Sequence, residues 1–199
     1  MQRTLPKVEP PVVKLTRLKR GEPARLALDL GLTTGYAVAG FNRIMHGTWK
    51  LQEKPKRPNG ERFLTLFRAL DRLLKTYADR GDPIREIHYE HVLHHVSLSQ
   101  CQQYGGHLAI VQAIGALHNI PLKGWPPSTI KRLSTGNGAA QKCDMIMACQ
   151  LLGFRPRDDN EADAIMLLGL AREQDPPPRN KKKPKARRVQ AEPQRSATV

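Results

Sequence analysis

An aspartate delivered straight into a turn is the feature that most limits what this chain can become. Residues 24–40 read ARLALDL, then GLTTG, then YAVAG. Apolar and small residues fill both flanks, so two strands joined as a hairpin are expected. Asp29 ends the first apolar run, where a buried charge is costly unless it is paired or bound. Two chemistries use this shape. In one, Asp29 helps hold a metal ion against a phosphodiester. In the other, the glycines and threonines hold the phosphates of a nucleotide.

The remaining pattern chooses an architecture. FNRIMHGTWKL (41–51) supplies a third strand. In ERFLTLFRALDRLLKTYADRG the apolar positions Phe63, Leu66, Phe67, Leu70, Leu73, Leu74 and Tyr77 recur at three-and-four spacing. That spacing predicts an amphipathic helix ending near Gly81. Residues 84–92 read as a strand and 98–118 as a helix, with Leu108, Val111, Ile114, Ala116 and Leu117 as its apolar positions. IPLKGW is a short strand. Pro126-Pro127-Ser128 opens a helix with Ser128 as its cap, and helices follow over 139–152 and 160–173. Strand, strand, strand, helix, strand, helix, strand, helices is an α/β order: a mixed five-stranded sheet with helices on both faces.

Charge separates the ends from the middle. The chain of 199 residues carries a formal net charge of +15. Over residues 1–25, seven Lys and Arg face only Glu9 and Glu22; over 176–199, eight face only Glu192. Residues 1–23 therefore read as a basic extended arm, 24–175 as the folded domain and 176–199 as a disordered basic tail. Basic ends of this kind favour a polyanion, nucleic acid first, or serve as solubilising tails. No apolar run reaches the roughly 20 residues of a membrane span. Cys101, Cys143 and Cys149 show no CxxC spacing and read as reduced thiols in a cytoplasmic protein, with neither disulfide nor zinc site.

Three acids stand in apolar company. Asp29 ends LALDL, Glu90 follows Ile87 and Tyr89 in IHYEHV, and Asp163 lies between alanines in NEADAIMLLGLA. Each alone is explained by a strand end, a salt bridge or the first turn of a helix, where the dipole welcomes acids. Together they match what Mg²⁺ or Mn²⁺ requires, hard oxygen ligands converging from several elements. His91, His94 and His95 offer no zinc-like spacing and read as surface or DNA-facing residues.

With these segments in order, residues 25–173 resemble the RuvC family of Holliday-junction resolvases, in the RNase H-like superfamily. LALDLGLTTGYAV is similar to the family's first strand, EHVL (90–93) to its second acidic strand, PSTIKRLSTGNGAAQK (127–142) to its glycine-bearing turn and lysines, and NEADAIMLLGLA to its closing acidic helix. The resemblance implies Asp29, Glu90 and Asp163 as catalytic, metal-holding acids. The family's fourth metal position falls on Asn160, a weaker donor than Asp or His, and Asp159, four residues before Asp163, is the alternative. Lys131 and Lys142 match basic residues near the scissile phosphate. Leu93 falls where the family carries a junction wedge, or it is core. Gly136 and Gly138 serve the turn between helices or contact phosphate through their N–H groups.

The expected activity is two-metal hydrolysis of branched DNA, leaving 5′-phosphate and 3′-hydroxyl ends, by a homodimer of phage or accessory type. Forks, flaps and RNA–DNA hybrids stay open as substrates. A non-catalytic DNA-binding module is one rival, sustained by Asn160. An actin-like or sugar-kinase ATP-binding protein is another, although that architecture needs a second phosphate loop and roughly twice this length.

Overall fold

The computed structural model of this protein describes residues 21–51, 60–94 and 96–173. The arm expected over 1–23, residues 21–23 apart, and the tail expected over 176–199 lie outside those residues, as does His95.

β1 (Ala24–Asp29), β2 (Thr33–Gly40) and β3 (Arg43–Lys50) form an antiparallel meander. β4 (Ile84–Glu90) pairs with β1 in parallel, and β5 (Leu122–Trp125) pairs with β4 in parallel, giving the order β3-β2-β1-β4-β5. Parallel neighbours need crossover connections. Helices α1 (Glu61–Asp79) and α2 (Leu98–Leu117) supply them. The expected mixed five-stranded sheet is what forms.

Period-two alternation divides the strands between two cores. Leu26, Leu28, Val38, Ile87 and Tyr89 face α1 and α2, meeting Leu66, Leu70, Leu74, Val111 and Ile114. Each such fully buried aliphatic side chain contributes about 1.5–3 kcal/mol. Ala27, Ala37 and Ala39 face the other way, onto α5 (Asp159–Glu173), with α3 (Pro127–Thr135) and α4 (Lys142–Leu151) packed beyond it. Small side chains on this face let α5 approach closely. From Ala162 to Ala171 nearly every residue of α5 is buried, as suits a helix enclosed on all sides.

The β2–β3 connection is tight. Phe41 and Asn42 both take positive φ, 50° and 58°, as a two-residue type I′ hairpin requires. The left-handed Phe41 is held by its N–H, which donates to Asp82 Oδ2 at 2.6 Å, and by its ring against Tyr77.

Several boundaries differ from expectation. β4 stops at Glu90 rather than 92, and α4 starts at 142 rather than 139. Ser128 is not the cap of α3: Pro126 is, with Pro127 at the first helical position. Proline fits there because its fixed φ is helical and the N–H it lacks has no intrahelical partner. Ala116 and Leu117 are exposed rather than core, while Val111, Ile114 and Gly115 of the same helix are buried. No helix among the described residues is long and apolar enough to cross a membrane. Cys101 and Cys143 are exposed, Cys149 is buried, and all three are free thiols.

Candidate active site

Asp29 and Glu90 are the last residues of neighbouring parallel strands. Leu28 pairs with Tyr89, so the next step of both chains brings the two acids side by side. Both share the parity of Ala27 and His88, which puts them on the α5 face of the sheet. The chain beyond Glu90 is pinned by Tyr104, whose hydroxyl donates to the Glu90 carbonyl at 2.7 Å and accepts the Val92 N–H at 3.2 Å.

The third acid arrives from α5. Gly35 is the cross-strand partner of Asp29, and a Cβ there would overlap the carbonyl of Asn160. The helix therefore begins directly on the strand, and Asp163, one turn further on, reaches Asp29 and Glu90.

The three carboxyls perturb one another. Burial, then the charges of Glu90 and Asp163, holds Asp29 well above the ordinary carboxylate range. Asp29 and Glu90 share a hydrogen bond, which needs one proton between them. Glu90 is raised by burial, against the opposing effects of that bond and of Lys131. Asp163 is pushed up to about 7, by burial first and the Glu90 charge second. Its Oδ1 is buried without a hydrogen-bond partner. Helix α5 starts at Asp159, so Asp163 lies in its second turn, beyond the place where the dipole would account for it.

Neighbouring acids on the same helix start show the contrast. Asp158 Oδ1 caps α5 by accepting the Glu161 N–H at 2.9 Å. Glu161 is 2% exposed and fully engaged, by His46 Nδ1 at 2.5 Å and by the Arg157 N–H at 2.7 Å. These two acids are satisfied structural groups; of the other three, Asp163 keeps a buried oxygen without a hydrogen-bond partner. As the side chains stand, no group of three or more His, Cys, Asp or Glu among the described residues is placed to hold a metal ion.

The remaining predicted residues surround the trio. Lys131, on α3, acts on both Glu90 and Asp163, favouring their charged forms. Lys142, first in α4, is ion-paired with Asp159, which lowers Asp159 and raises the lysine. The Asp159 charge reaches Asp29 and Asp163. Asn160 adds no charge; its backbone is what seats the helix. Gly136 is the left-handed cap of α3 at φ 80°, and a Cβ at Gly138 would stand 3.2 Å from the Ser128 carbonyl. Both glycines thus serve the turn. Leu93 is 67% exposed, so the core reading fails for it. His91 is half-buried, and His94 is exposed.

Sequence reasoning missed Tyr104, His46 and the seating role of Gly35. A glycine inside a strand is itself a signal of close backbone approach, and it was available. Tyr104 and His46 act across 14 and 115 residues and leave no local trace.

No protein-family model matches the chain. It is 27% identical over 153 residues to the crossover junction endodeoxyribonuclease RuvC of Synechococcus sp. (strain WH7803), covering 70% of this chain and 92% of that protein. It is 31% identical over 137 residues to the protein of the same name from Anaeromyxobacter sp. (strain Fw109-5), covering 67% of this chain and 64% of that one. Among solved structures, T. thermophilus RuvC in complex with Holliday junction substrate matches with a TM-score of 0.61 at 20% identity, over 76% of this chain and 94% of that one. The yeast mitochondrial Holliday junction resolvase Ydc2 matches with a TM-score of 0.50 at 12% identity, over 82% and 79%. The structural likenesses show a shared fold. The curated relatives and these solved structures are all RuvC proteins or Holliday junction resolvases.

Proposed function

We propose that this protein is a divalent-metal-dependent endonuclease that cuts Holliday junctions and related branched DNA, with Asp29, Glu90 and Asp163 as its metal-holding acids. One observation carries the reading: three like-charged carboxyls converge from β1, β4 and α5, and Asp163 keeps a buried oxygen that no protein donor satisfies. Hard oxygen donors that repel one another suit Mg²⁺ or Mn²⁺, whose charge would relieve that repulsion. Asp159 is the fourth acid within reach; Asn160 is its neutral neighbour. When bound, the ions would supply Lewis acidity at the phosphorus and a more acidic water.

The chain's own groups do the rest. Lys131 and Lys142 would hold the scissile phosphate and offset charge as it builds there. Exposed Leu93, just past Glu90, would meet bases at the branch point. Paired cuts across a two-fold junction call for two sites, hence a homodimer.

The test is incubation of labelled four-way junction, fork, flap and linear duplex with Mg²⁺, Mn²⁺ or EDTA. Junction cutting with either ion, none in EDTA, and none by D29N despite retained binding is the expected result. Undiminished cutting by D29N would remove the site. Binding without cutting under any ion would leave a non-catalytic DNA-binding module.

A further inference from the structure

A second surface, on the opposite face of the sheet from the three acids, is built for an anion. Between edge strand β3 and α1 runs a groove of about 660 Å³. Its floor is aromatic: Tyr36 and Trp49 stack with centroids 4.4 Å apart and an interplanar angle of 16°. Its walls carry Arg43 from β3 and Arg68, Arg72 and Arg80 from α1. All four arginines are exposed, and among the described residues none is ion-paired.

This arrangement needs a reason. Like charges four apart on a helix, as at Arg68 and Arg72, are mildly destabilising. Two arginines elsewhere in the fold are paired: Arg25 meets Glu22 and Glu86, and Arg172 meets Glu22. The acid at the groove's far end, Asp82, is engaged by the Phe41 N–H. Asp71 of α1 binds Lys75 and His118 instead.

We propose that this groove is a second nucleic-acid site, taking an unpaired strand with its phosphates against the four arginines and a base against Trp49. Planar cations beside a half-buried aromatic stack suit a strand whose bases are free to stack. A second copy of this chain fits poorly, since a two-fold contact through this face would press arginine against arginine. The geometry also suits a strand coming from the cleavage site. Trp49 pairs with Thr34, next to Gly35, and Gly35 lies opposite Asp29. The aromatic end of the groove is therefore the catalytic end of the sheet. From there the groove follows β3 towards Arg43.

The chain has two tryptophans, and Trp125 is fully buried with its indole N–H on His88. Both emit, but only Trp49 is open to a stacking base, so quenching by a bound strand reports Trp49. The experiment titrates end-labelled oligo-dT with full-length protein in EDTA across a salt series, reading affinity from the label's anisotropy and contact with Trp49 from quenching of intrinsic emission. It compares wild type, R68A/R72A and W49L, and uses polyglutamate as competitor. Neither metal nor cutting is involved, so its failure is separate from failure of the cleavage reading. The basic ends are common to all three proteins and cancel.

Saturable quenching in wild type is expected. R68A/R72A should lower the slope of log affinity against log salt by about 1.4, at roughly 0.7 per lost phosphate contact. W49L should bind on the order of ten-fold more weakly. Absent quenching, together with unchanged affinity and slope in R68A/R72A, would overturn the proposal. So would arginine-dependent binding of polyglutamate with no quenching by oligo-dT, which would assign the groove to an acidic protein partner.

Discussion

Gly35 of β2 and Asn160 of α5 meet backbone to backbone, with no room for a Cβ between them. The first turn of α5 rests on this contact, and Asp29 lies directly across the strand pair from it. One missing side chain thus sets how deeply Asp163 enters the space beside Asp29 and Glu90.

Replacing Gly35 with alanine should therefore harm the site more than the fold. Overpacking of this kind costs about 1–3 kcal/mol. In a domain of this size that lowers Tm by a few degrees per kcal/mol. Displacing α5 moves an acid at the reacting centre, so junction cutting should fall by far more than the loss of folded protein explains. Melting and cutting measured on one preparation of G35A check this. An unchanged Tm with unchanged cutting would mean the helix does not depend on that contact.

Ion binding should be visible in stability alone. Asp163 stands near 7 in the folded protein against an ordinary 3.8. Between those values the folded state holds more protons than the unfolded chain. The contribution of Asp163 to metal-free stability therefore falls as pH rises from about 4 to 7, opposite in sign to that of His88. A divalent ion needs the charged carboxylates, so Mg²⁺ should raise Tm more at pH 8 than at pH 5. D163N should remove the Asp163 contribution, making metal-free stability change more favourably than wild type as pH rises from about 4 to 7, and should flatten the Mg²⁺ trend. An equal Mg²⁺ effect at the two pH values, or one kept by D163N, would place the ion elsewhere.

Lys131 separates holding an ion from using it. Its cation favours the charged forms of Glu90 and Asp163. K131A leaves the acidic group with more net negative charge at pH 8. The Mg²⁺-induced rise in Tm should then grow, while cutting drops because the phosphate loses a positive partner. A smaller Mg²⁺ response together with full cutting would contradict both roles.

The acids at 29, 90 and 163 were legible because each interrupts an apolar run, where local patterning gives no reason for a charge. The sheet order was legible for a related reason: strand periodicity and the one strongly periodic helix, α1, leave few α/β arrangements. Other features are written in no local pattern. Leu93 looks like core from its apolar neighbours, yet it is exposed because β4 ends three residues earlier. Asp163 looks like a first-turn acid until Asp158 is seen to cap the helix. Capping depends on which of three consecutive polar residues, at 158, 159 and 160, turns back. Here it is Asp158, whose Oδ1 accepts the Glu161 N–H.

Below the three acids, the same face of the sheet carries a polar group whose acid response can be measured. Glu86 accepts from Arg25 at 3.0 Å, Lys123 at 3.0 Å and His88 Nε2 at 3.2 Å. His88 is fully buried, and its Nδ1 accepts the Trp125 indole N–H at 3.0 Å. The ring proton therefore sits on Nε2, facing Glu86. Burial opposes ionisation of Glu86, but the bonds from Arg25, Lys123 and His88 outweigh it and bring Glu86 down to about 2. A lowered carboxylate stabilises the fold above its unfolded value, near 4.5, and that support is lost as pH falls towards 2. With Glu86 partly exposed, the loss is about 2 kcal/mol. Burial also pulls His88 down to about 4, which adds a loss of the same sign as pH falls from 6.5. E86Q keeps an acceptor for His88 but has no charge to titrate. Its unfolding free energy should therefore be flatter than wild type between pH 4.5 and 2, with the loss between 6.5 and 4 retained. E86A strands the His88 N–H in the core and should cost a further 1–3 kcal/mol or so at pH 7. Urea unfolding of the three proteins across pH 2–7 distinguishes these outcomes. Equal acid slopes for wild type and E86Q would show that Glu86 is not held ionised by its three partners.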